Sequence, residues 1–396
     1  MNHKYLHMFV NAFWNESSGM SGGDKRVIEI LKKWHQSGMS DFQVIVYAPQ
    51  KFIDLLIEEN IDNVIFRCTA PRGSEKRGLF LSYIGRTVKA VCLLPRHDKT
   101  NRHCFYSTSD YFPDVVPCVI GRMSNKRARW LPLVFHIMEN YRTRLGNKAI
   151  NFISYYLQQF SLFLMKKKSD KILYESPLVY DYLVEEKGFR DTVMLRVDNG
   201  VETALIDAAE PYDEEKKQYD AIMLARLAPS KGIYDLPAVW SHVLKKNSAA
   251  RLGIIGRGSD VVLKEFGRLC EQYHVTDWID LLGFLDVDEA YSYLKSAKMF
   301  VFVSREEGWG ISIAEAMTCG LPVVAFELPV YRHIFPKGIK LISNRDAKTM
   351  AEQINFWIDN PEERKKTASE GSEYVRTHYE WAQVAANEAQ IIARYL

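Results

Sequence analysis

Two carboxylates, Glu307 and Glu315, stand eight positions apart in the string SREEGWGISIAEAMTCGLPVVAFE, residues 304–327. An apolar, strand-like run precedes them, a Gly-x-Gly turn separates them, and a helix-like stretch carries the second. At that spacing Glu307 sits at the carboxyl end of the strand and Glu315 lies inside the helix, so both can face one cleft. A carboxylate accepts two hydrogen bonds in a fork, which suits Glu315 to the vicinal hydroxyls of a ribose. Glu307 comes just before the backbone N–H groups of Gly308, Trp309, Gly310 and Ile311, and N–H groups at a helix start favour a phosphate. The competing reading makes the acids a helix-start device, because Asp and Glu favour first turns.

A second constellation is ARLAPSKGIYDL, residues 225–236. Arg226 ends a strand and Lys231 follows five residues later, before Gly232 and a helix. Two cations at the carboxyl end of a strand can clamp a diphosphate and neutralise charge that builds on a departing nucleotide. Taken alone, they also suit a solvated surface loop. Two glycine turns follow strand-like runs, GIIGRGSD at 253–260 and SSGMSGGDKR at 17–26. Tight-turn geometry explains the first and helix entry the second. Asp286 and Asp288 fit a D-x-D metal pattern, but they directly precede the helix-like EAYSYLKSA, where capping accounts for them.

With these residues in place, the chain resembles the family-4 retaining glycosyltransferases of the GT-B fold. Their signature is a Glu-x7-Glu motif in the string S-x-x-E-G-[FW]-G…E-A-x-x-x-G-x-P-V-V-A. It is matched here by Ser304, Glu307, Gly308, Trp309, Gly310, Glu315, Ala316, Gly320, Pro322, Val323, Val324 and Ala325. The resemblance implies transfer of a sugar from a nucleotide-diphosphate donor to a glycan, glycolipid or other hydroxyl acceptor, with retention. It implies that Glu307 lies beside the donor sugar, that Glu315 binds the ribose, and that Arg226 and Lys231 are diphosphate ligands. It further implies that Gly256 and Arg257 line the nucleotide and that backbone near Phe284 reads the base. Gly22 and Gly23 correspond to the loop that approaches donor phosphate and acceptor. His136 takes the place of a histidine that reaches the donor sugar, although a lone His after an apolar strand is also a common structural residue. The family uses no cofactor and no metal, so none is expected. The resemblance is dense from Asp220 to Phe335 and only positional from Arg67 to Phe105, which leaves the acceptor unnamed. Two other readings stay open: an epimerase or donor hydrolase on the same fold, which would consume donor without acceptor, and a non-catalytic nucleotide-sugar-binding subunit.

The elements that must position these residues follow a βαβ rhythm. Short apolar runs alternate with longer amphipathic ones, which predicts α/β architecture with parallel sheets. At 396 residues the chain exceeds one hydrophobic core. The expected organisation is an acceptor-side Rossmann-like domain over 1–203 and an acidic linker over 204–219. A nucleotide-sugar-binding Rossmann-like domain over 220–377 and a helix over 378–396 that crosses back to the first domain complete it. The resemblance adds that the two domains face each other. Strands are predicted at 5–14, 42–49, 103–109, 129–137, 171–177 and 193–202, then at 220–227, 250–258, 277–285, 298–305, 321–327 and 338–343.

Composition narrows the partners. The most apolar segment, Ala149–Met165, carries Asn151, Gln158 and Gln159 and makes a poor spanning helix. The start lacks a signal-peptide pattern, so a cytoplasmic protein is expected. Cys68, Cys92, Cys104, Cys118, Cys270 and Cys319 show no metal-ligand spacing and read as reduced thiols. The net charge of +3 divides unevenly, with basic excess in residues 1–200 and acidic excess in 201–396. Residues 66–104 and 121–148 are basic and interleaved with Phe80, Tyr83, Trp130, Phe135 and Tyr141. They suit peripheral contact with anionic lipid or a phosphate-bearing acceptor, or simply a solvated face. No nucleic-acid-reading module is recognisable.

Overall fold

A computed structural model describes residues 3–13, 21–38, 41–95, 100–138, 140–144, 147–212 and 219–396. The chain divides into two compact units, Met1–Asn199 with Trp381–Leu396, and Gly200–Glu380. The first unit starts with β1 (Lys4–Phe9), α1 (Gly22–Gln36), β2 (Gln43–Pro49), α2 (Gln50–Glu58) and β3 (Ile65–Ala70). It continues with α3 (Leu79–Cys92), β4 (Arg102–Ser107), α4 (Phe112–Ser124), β5 (Arg129–Val134) and α5 (Lys148–Lys168). Then come β6 (Ile172–Tyr174), α6 (Pro177–Asp181) and β7 (Met194–Arg196). Its seven strands run parallel in the order β3-β2-β1-β4-β5-β6-β7.

The second unit holds α7 (Thr203–Ala208), β8 (Ala221–Leu224), α8 (Leu236–Val243), β9 (Leu252–Ile255), α9 (Asp260–Gln272) and β10 (Ile279–Gly283). It goes on with α10 (Val287–Ser296), β11 (Phe300–Phe302), α11 (Ile311–Thr318), β12 (Val323–Phe326), α12 (Pro329–Ile334), β13 (Ile339–Ile342), α13 (Ala347–Asp359) and α14 (Pro361–His378). Its six parallel strands lie in the order β10-β9-β8-β11-β12-β13. The final helix, α15 (Trp381–Ala393), belongs to the first unit and packs on α1.

Local chemistry sets these elements. The central strands β9, β11 and β12 are buried along their whole length, as expected of parallel strands covered on both faces. Helix starts carry side-chain caps that satisfy the first free amides: Ser21 for α1, Asn147 for α5, Asp286 for α10 and Asp346 for α13. In the first unit one apolar cluster joins α1, α2 and α15 to one face of the sheet, and a second joins α3, α4 and α5 to the other.

Differences from the sequence reading concentrate at edges. β3 is missing from the predicted strands because it is an edge strand, half-exposed and interrupted by the exposed Arg67. The strand expected over 193–202 shrinks to the three residues of β7 at the opposite edge. The polar stretch 204–219 begins inside α7, and residues 213–218 lie outside the described ones. The last helix starts at Trp381, after α14 has ended at His378.

Candidate active site

In the second sheet β8 pairs with β9 on one side and β11 on the other, so the chain's direction of travel reverses between β8 and β11. Open α/β sheets bind ligands in the crevice outside the carboxyl ends of the strands at such a switch point. The loops leaving β8 and β11 carry Arg226 with Lys231, and Glu307. The Lys231 Nζ lies 2.5 Å from Glu307 Oε1, with both side chains largely buried. The two loops are stitched together by backbone and side chain. The Arg305 N–H donates to the Ser230 carbonyl at 2.9 Å, and the buried Ser304 hydroxyl reaches the same carbonyl at 3.4 Å. Arg345, from the turn after β13, donates to the carbonyls of Val303 (2.8 Å) and Ser304 (3.0 Å) and pairs with Asp235. Arg305 grips the same Asp235 at 2.7 Å.

The approach of these loops leaves no room for side chains at two glycines. A Cβ at Gly232, where φ is +70°, would lie 1.8 Å from the Val303 carbonyl oxygen. A Cβ at Gly256, where φ is +146°, would lie 1.9 Å from the Ala225 carbonyl oxygen. Only glycine meets both the backbone conformation and the spacing. The ends of the three adjacent strands β8, β9 and β10 are also tied together. Leu227 N–H donates to the Arg257 carbonyl and Gly256 N–H to the Gly283 carbonyl, each at 2.7 Å. The exposed Arg257 guanidinium sits 4.6 Å from the centre of the exposed Phe284 ring. Arg226 is exposed and makes no hydrogen bond or ion pair among the described residues.

Helix α11 begins after Gly310, so the amides around Gly310 and Ile311 open its first turn. The Trp309 side chain turns inward, edge-on to Phe335 (5.4 Å) and Tyr379 (4.9 Å), so Gly308–Ile311 offers backbone to the crevice. Glu315, on α11, is buried, and its Oε1 accepts a hydrogen bond from the Tyr291 hydroxyl of α10 at 3.0 Å. Burial, reinforced by the charge of Glu307, pushes the Tyr331 phenol well above its ordinary range. Tyr291, Tyr331, Asp235 and Arg345 were not found in the sequence. Each acts through a contact distant in the chain, and no local pattern marks them.

The remaining predicted residues stand in the first unit. Gly22 and Gly23 open α1 behind the Ser21 cap, and a side chain at Gly23 would meet the Phe135 ring. His136 follows β5, and its carbonyl accepts from Gln158 Nε2 at 2.9 Å; the same amide reaches Asp110 Oδ2 at 2.6 Å. This sheet reverses between β1 and β4, and a buried polar group unsuspected from sequence fills that point. Asp114 accepts from the Asn11 and Ala12 amides (2.5 and 3.3 Å) and from the Ser109 hydroxyl (2.5 Å). Burial pushes its carboxyl up to about 8. Arg86 donates to the carbonyls of Asn11 (3.0 Å) and Phe13 (2.5 Å).

The structure therefore gathers Arg226, Lys231, Gly256, Arg257, Phe284, Glu307, Gly308–Ile311 and Glu315 on one sheet, and Gly22, Gly23 and His136 on the other. Asp286 caps α10 through the Glu289 amide at 2.9 Å. Among the described residues no group of three His, Cys, Asp or Glu side chains is placed to hold a metal. A surface hollow lined by Lys298, Pro322, Arg364 and Arg376 lies at the amino ends of β11 and β12, away from the switch-point loops.

Comparison with known proteins bears on the second unit first. Residues 207–374 match the model of the family "Glycosyl transferases group 1". A GDP-mannose:cellobiosyl-diphosphopolyprenol alpha-mannosyltransferase of Xanthomonas oryzae is 28% identical over 168 residues, 41% of this chain and 43% of that protein. A trehalose synthase of Pyrococcus horikoshii is 23% identical over 185 residues, 45% and 44% of the two chains. The chain thus spans less than half the length of these curated relatives. Among solved structures, a sucrose-phosphate synthase of Thermosynechococcus elongatus aligns with TM-score 0.76 at 16% identity, covering 99% of both chains. Anabaena HepE, in complex with UDP and glucose, aligns with TM-score 0.73 at 16% identity, covering 99% of this chain and 100% of that one. The fold is GT-B, two parallel-sheet α/β domains of seven and six strands.

Proposed function

We propose that the chain is a retaining glycosyltransferase that uses a nucleotide-diphosphate sugar. The observation that carries this reading is the Lys231–Glu307 pair, 2.5 Å apart at a switch point and framed by the Glu307/Glu315 string. In the proposed mechanism Arg226, Lys231 and the amides at Gly310 and Ile311 hold the diphosphate. They stabilise the negative charge that grows on it as the anomeric carbon–oxygen bond breaks. Glu315 accepts from the ribose hydroxyls, and the Arg257–Phe284 face lies against the base. Glu307 positions the donor sugar. The acceptor oxygen bonds to the anomeric carbon from the side the diphosphate leaves, and the departing phosphate oxygen takes the acceptor's proton. Configuration is thereby retained without an enzyme nucleophile. The fixed cations and the α11 dipole supply the charge stabilisation, so the reaction is proposed to need no added metal. Gly22, Gly23 and His136 belong to the acceptor-side unit in this scheme.

Relatives whose names specify a diphosphopolyprenol and a phosphatidyl-myo-inositol acceptor favour a lipid-linked acceptor here. The test is a thermal-shift and calorimetric screen against UDP, GDP, ADP, CDP and dTDP with their sugar conjugates. One nucleotide should stabilise the protein and lose that effect in Glu315→Ala. Loss of transfer in correctly folded Glu307→Gln, Arg226→Ala and Lys231→Ala completes it. Full activity in any of these removes that residue from the mechanism. Stabilisation by a nucleotide with no turnover under any acceptor would favour a non-catalytic binding subunit.

A further inference from the structure

Helices α3 and α5 are built inside out. The protein-facing side of α3 carries Ser82, Arg86 and Thr87, all buried, while Leu81, Ile84 and Val88 point outward with 40–63% of their surface exposed. On α5 the buried positions include Asn151, Gln158 and Ser161. Its outward row is Phe152, Ile153, Tyr156, Phe160 and Phe163, each 46–56% exposed. These positions follow the spacing of one helical face, and Lys167 extends it. Both helices cover the same face of the first sheet, on either side of α4. A contiguous apolar surface of this kind on a folded domain marks an interaction site.

Charge says what the partner is. Neither α3 nor α5 contains a single Asp or Glu, and on α4 between them the only acid, Asp114, is buried. The apolar rows are bordered instead by exposed cations: Lys89 at the end of α3, Arg142 and Lys148 before the α5 row, and Lys167 and Lys168 after it. Tyr141 and Tyr156 cluster with Phe152 at the start of α5, with ring centres 4.6–6.0 Å apart. Aromatic rings with a polar tip favour the boundary between water and acyl chains. Apolar rows ringed by cations, free of acids and edged with tyrosines, match an anionic bilayer surface. No helix among the described residues is long and apolar enough to cross a membrane. With Asn151, Gln158 and Ser161 held against the protein, α5 has one lipid-compatible face and lies flat.

We propose that the α3–α5 face of the first unit seats on an anionic phospholipid surface, with the apolar rows among the acyl chains and the flanking cations among the headgroups. The proposal is independent of the donor-site reading, because the measurement below uses neither donor nor acceptor. The experiment is sedimentation of the full chain with vesicles of phosphatidylcholine alone and of phosphatidylcholine with phosphatidylglycerol, over a range of salt. Binding is expected to the mixed vesicles, to weaken with salt, and to be slight on phosphatidylcholine. Phe160→Ser with Phe163→Ser should lower partitioning by roughly thirtyfold. Lys167→Gln with Lys168→Gln should lower it by a similar factor, about fivefold per charge. All four positions are exposed, and unchanged circular dichroism and melting temperature verify folding. Val261→Ser, at an exposed apolar residue of the second unit, should leave binding intact. No binding to the mixed vesicles, or full binding by either double variant, would overturn the proposal. So would lipid-free self-association that Phe160→Ser with Phe163→Ser dissolves, since a second copy would then cover this face.

Discussion

Replacing Arg26 by methionine tests how the last helix is held. Arg26 is buried, its Nε 2.8 Å from Glu175 Oε1 and its guanidinium paired with Glu388 of α15. The Tyr106 hydroxyl donates to Glu388 at 2.8 Å, Asn199 donates to Glu175 at 2.7 Å, and Arg26 itself donates to the Asp198 carbonyl at 3.2 Å. Two buried carboxylates thus share one cation. Burial, partly countered by Arg26, pushes Glu175 up to about 8, which lessens the excess of negative charge around the one cation. Removing one partner of a buried ion pair costs about 3–5 kcal/mol, because the remaining charge is left unpaired. For a unit of this size that corresponds to a fall in melting temperature of roughly 6–20 °C. The assay is thermal and urea unfolding followed by tryptophan fluorescence. Trp34 donates from its indole to the Ala385 carbonyl at 2.8 Å, and Trp381 is fully buried, so both report on α1 and α15. Arg26→Met with Glu175→Leu and Glu388→Leu should recover most of the loss, since an apolar replacement of a buried triad is often neutral. A loss below about 1 kcal/mol in Arg26→Met alone would refute this account of the network.

Asp114 gives a pH test. Its carboxyl is raised to about 8 by burial, so between its ordinary range and pH 8 the folded unit binds a proton the unfolded chain has released. Stability should therefore fall as pH rises through that window, by up to about 1.4 kcal/mol per pH unit. Asp114→Asn should make the profile shallower by that amount and leave the part due to Glu175, and an unchanged slope would remove Asp114 as a source. Gly232→Ala should destabilise the second unit by several kcal/mol, on the order of the cost of a left-handed alanine plus a backbone clash; a wild-type melting profile would contradict the loop geometry. Lys231→Ala should lower the transfer rate by about 10²–10³ with unchanged folding, in the range seen when one fixed charge-stabilising donor is lost. Tyr291→Phe removes the hydroxyl that orients Glu315. It should weaken nucleotide binding by a few-fold, about the worth of one hydrogen bond, read as a smaller thermal shift with the preferred nucleotide.

The second sheet was the more legible in sequence. Its strands are apolar runs bounded by glycine and charge, and the turns that follow them carry the residues whose types suggested chemistry. Local spacing sufficed for Glu307 and Glu315, because one strand, one turn and one helix contain both. It could not reveal Arg345 or Tyr291, which reach the same loops from 41 and 24 residues away. β3 was missed because edge exposure broke its apolar run at Arg67. For α5 the sequence showed the mixed polarity and left the orientation open. Asn151 and Gln158 marked it as a poor spanning helix, yet these residues face the protein and the aromatics face out. Hydrophobic periodicity identifies two faces of a helix, but which one turns inward depends on its tertiary neighbours.

The return of α15 to the first unit has a consequence for synthesis. Residues 200–380 leave the ribosome before Trp381, so the second unit has all its own strands while Arg26 still lacks Glu388, 362 positions downstream. Loop-closure entropy grows only slowly with length, so this distant contact is slow to find rather than weak once made. Until it forms, Trp34 has no carbonyl for its indole N–H, Arg26 has one carboxylate partner instead of two, and the apolar side of α1 faces water. A chain interrupted ahead of Trp381 would present that surface to proteases and chaperones. The closing helix thereby makes stability of the first-made unit a readout of whether translation has passed residues 381–396.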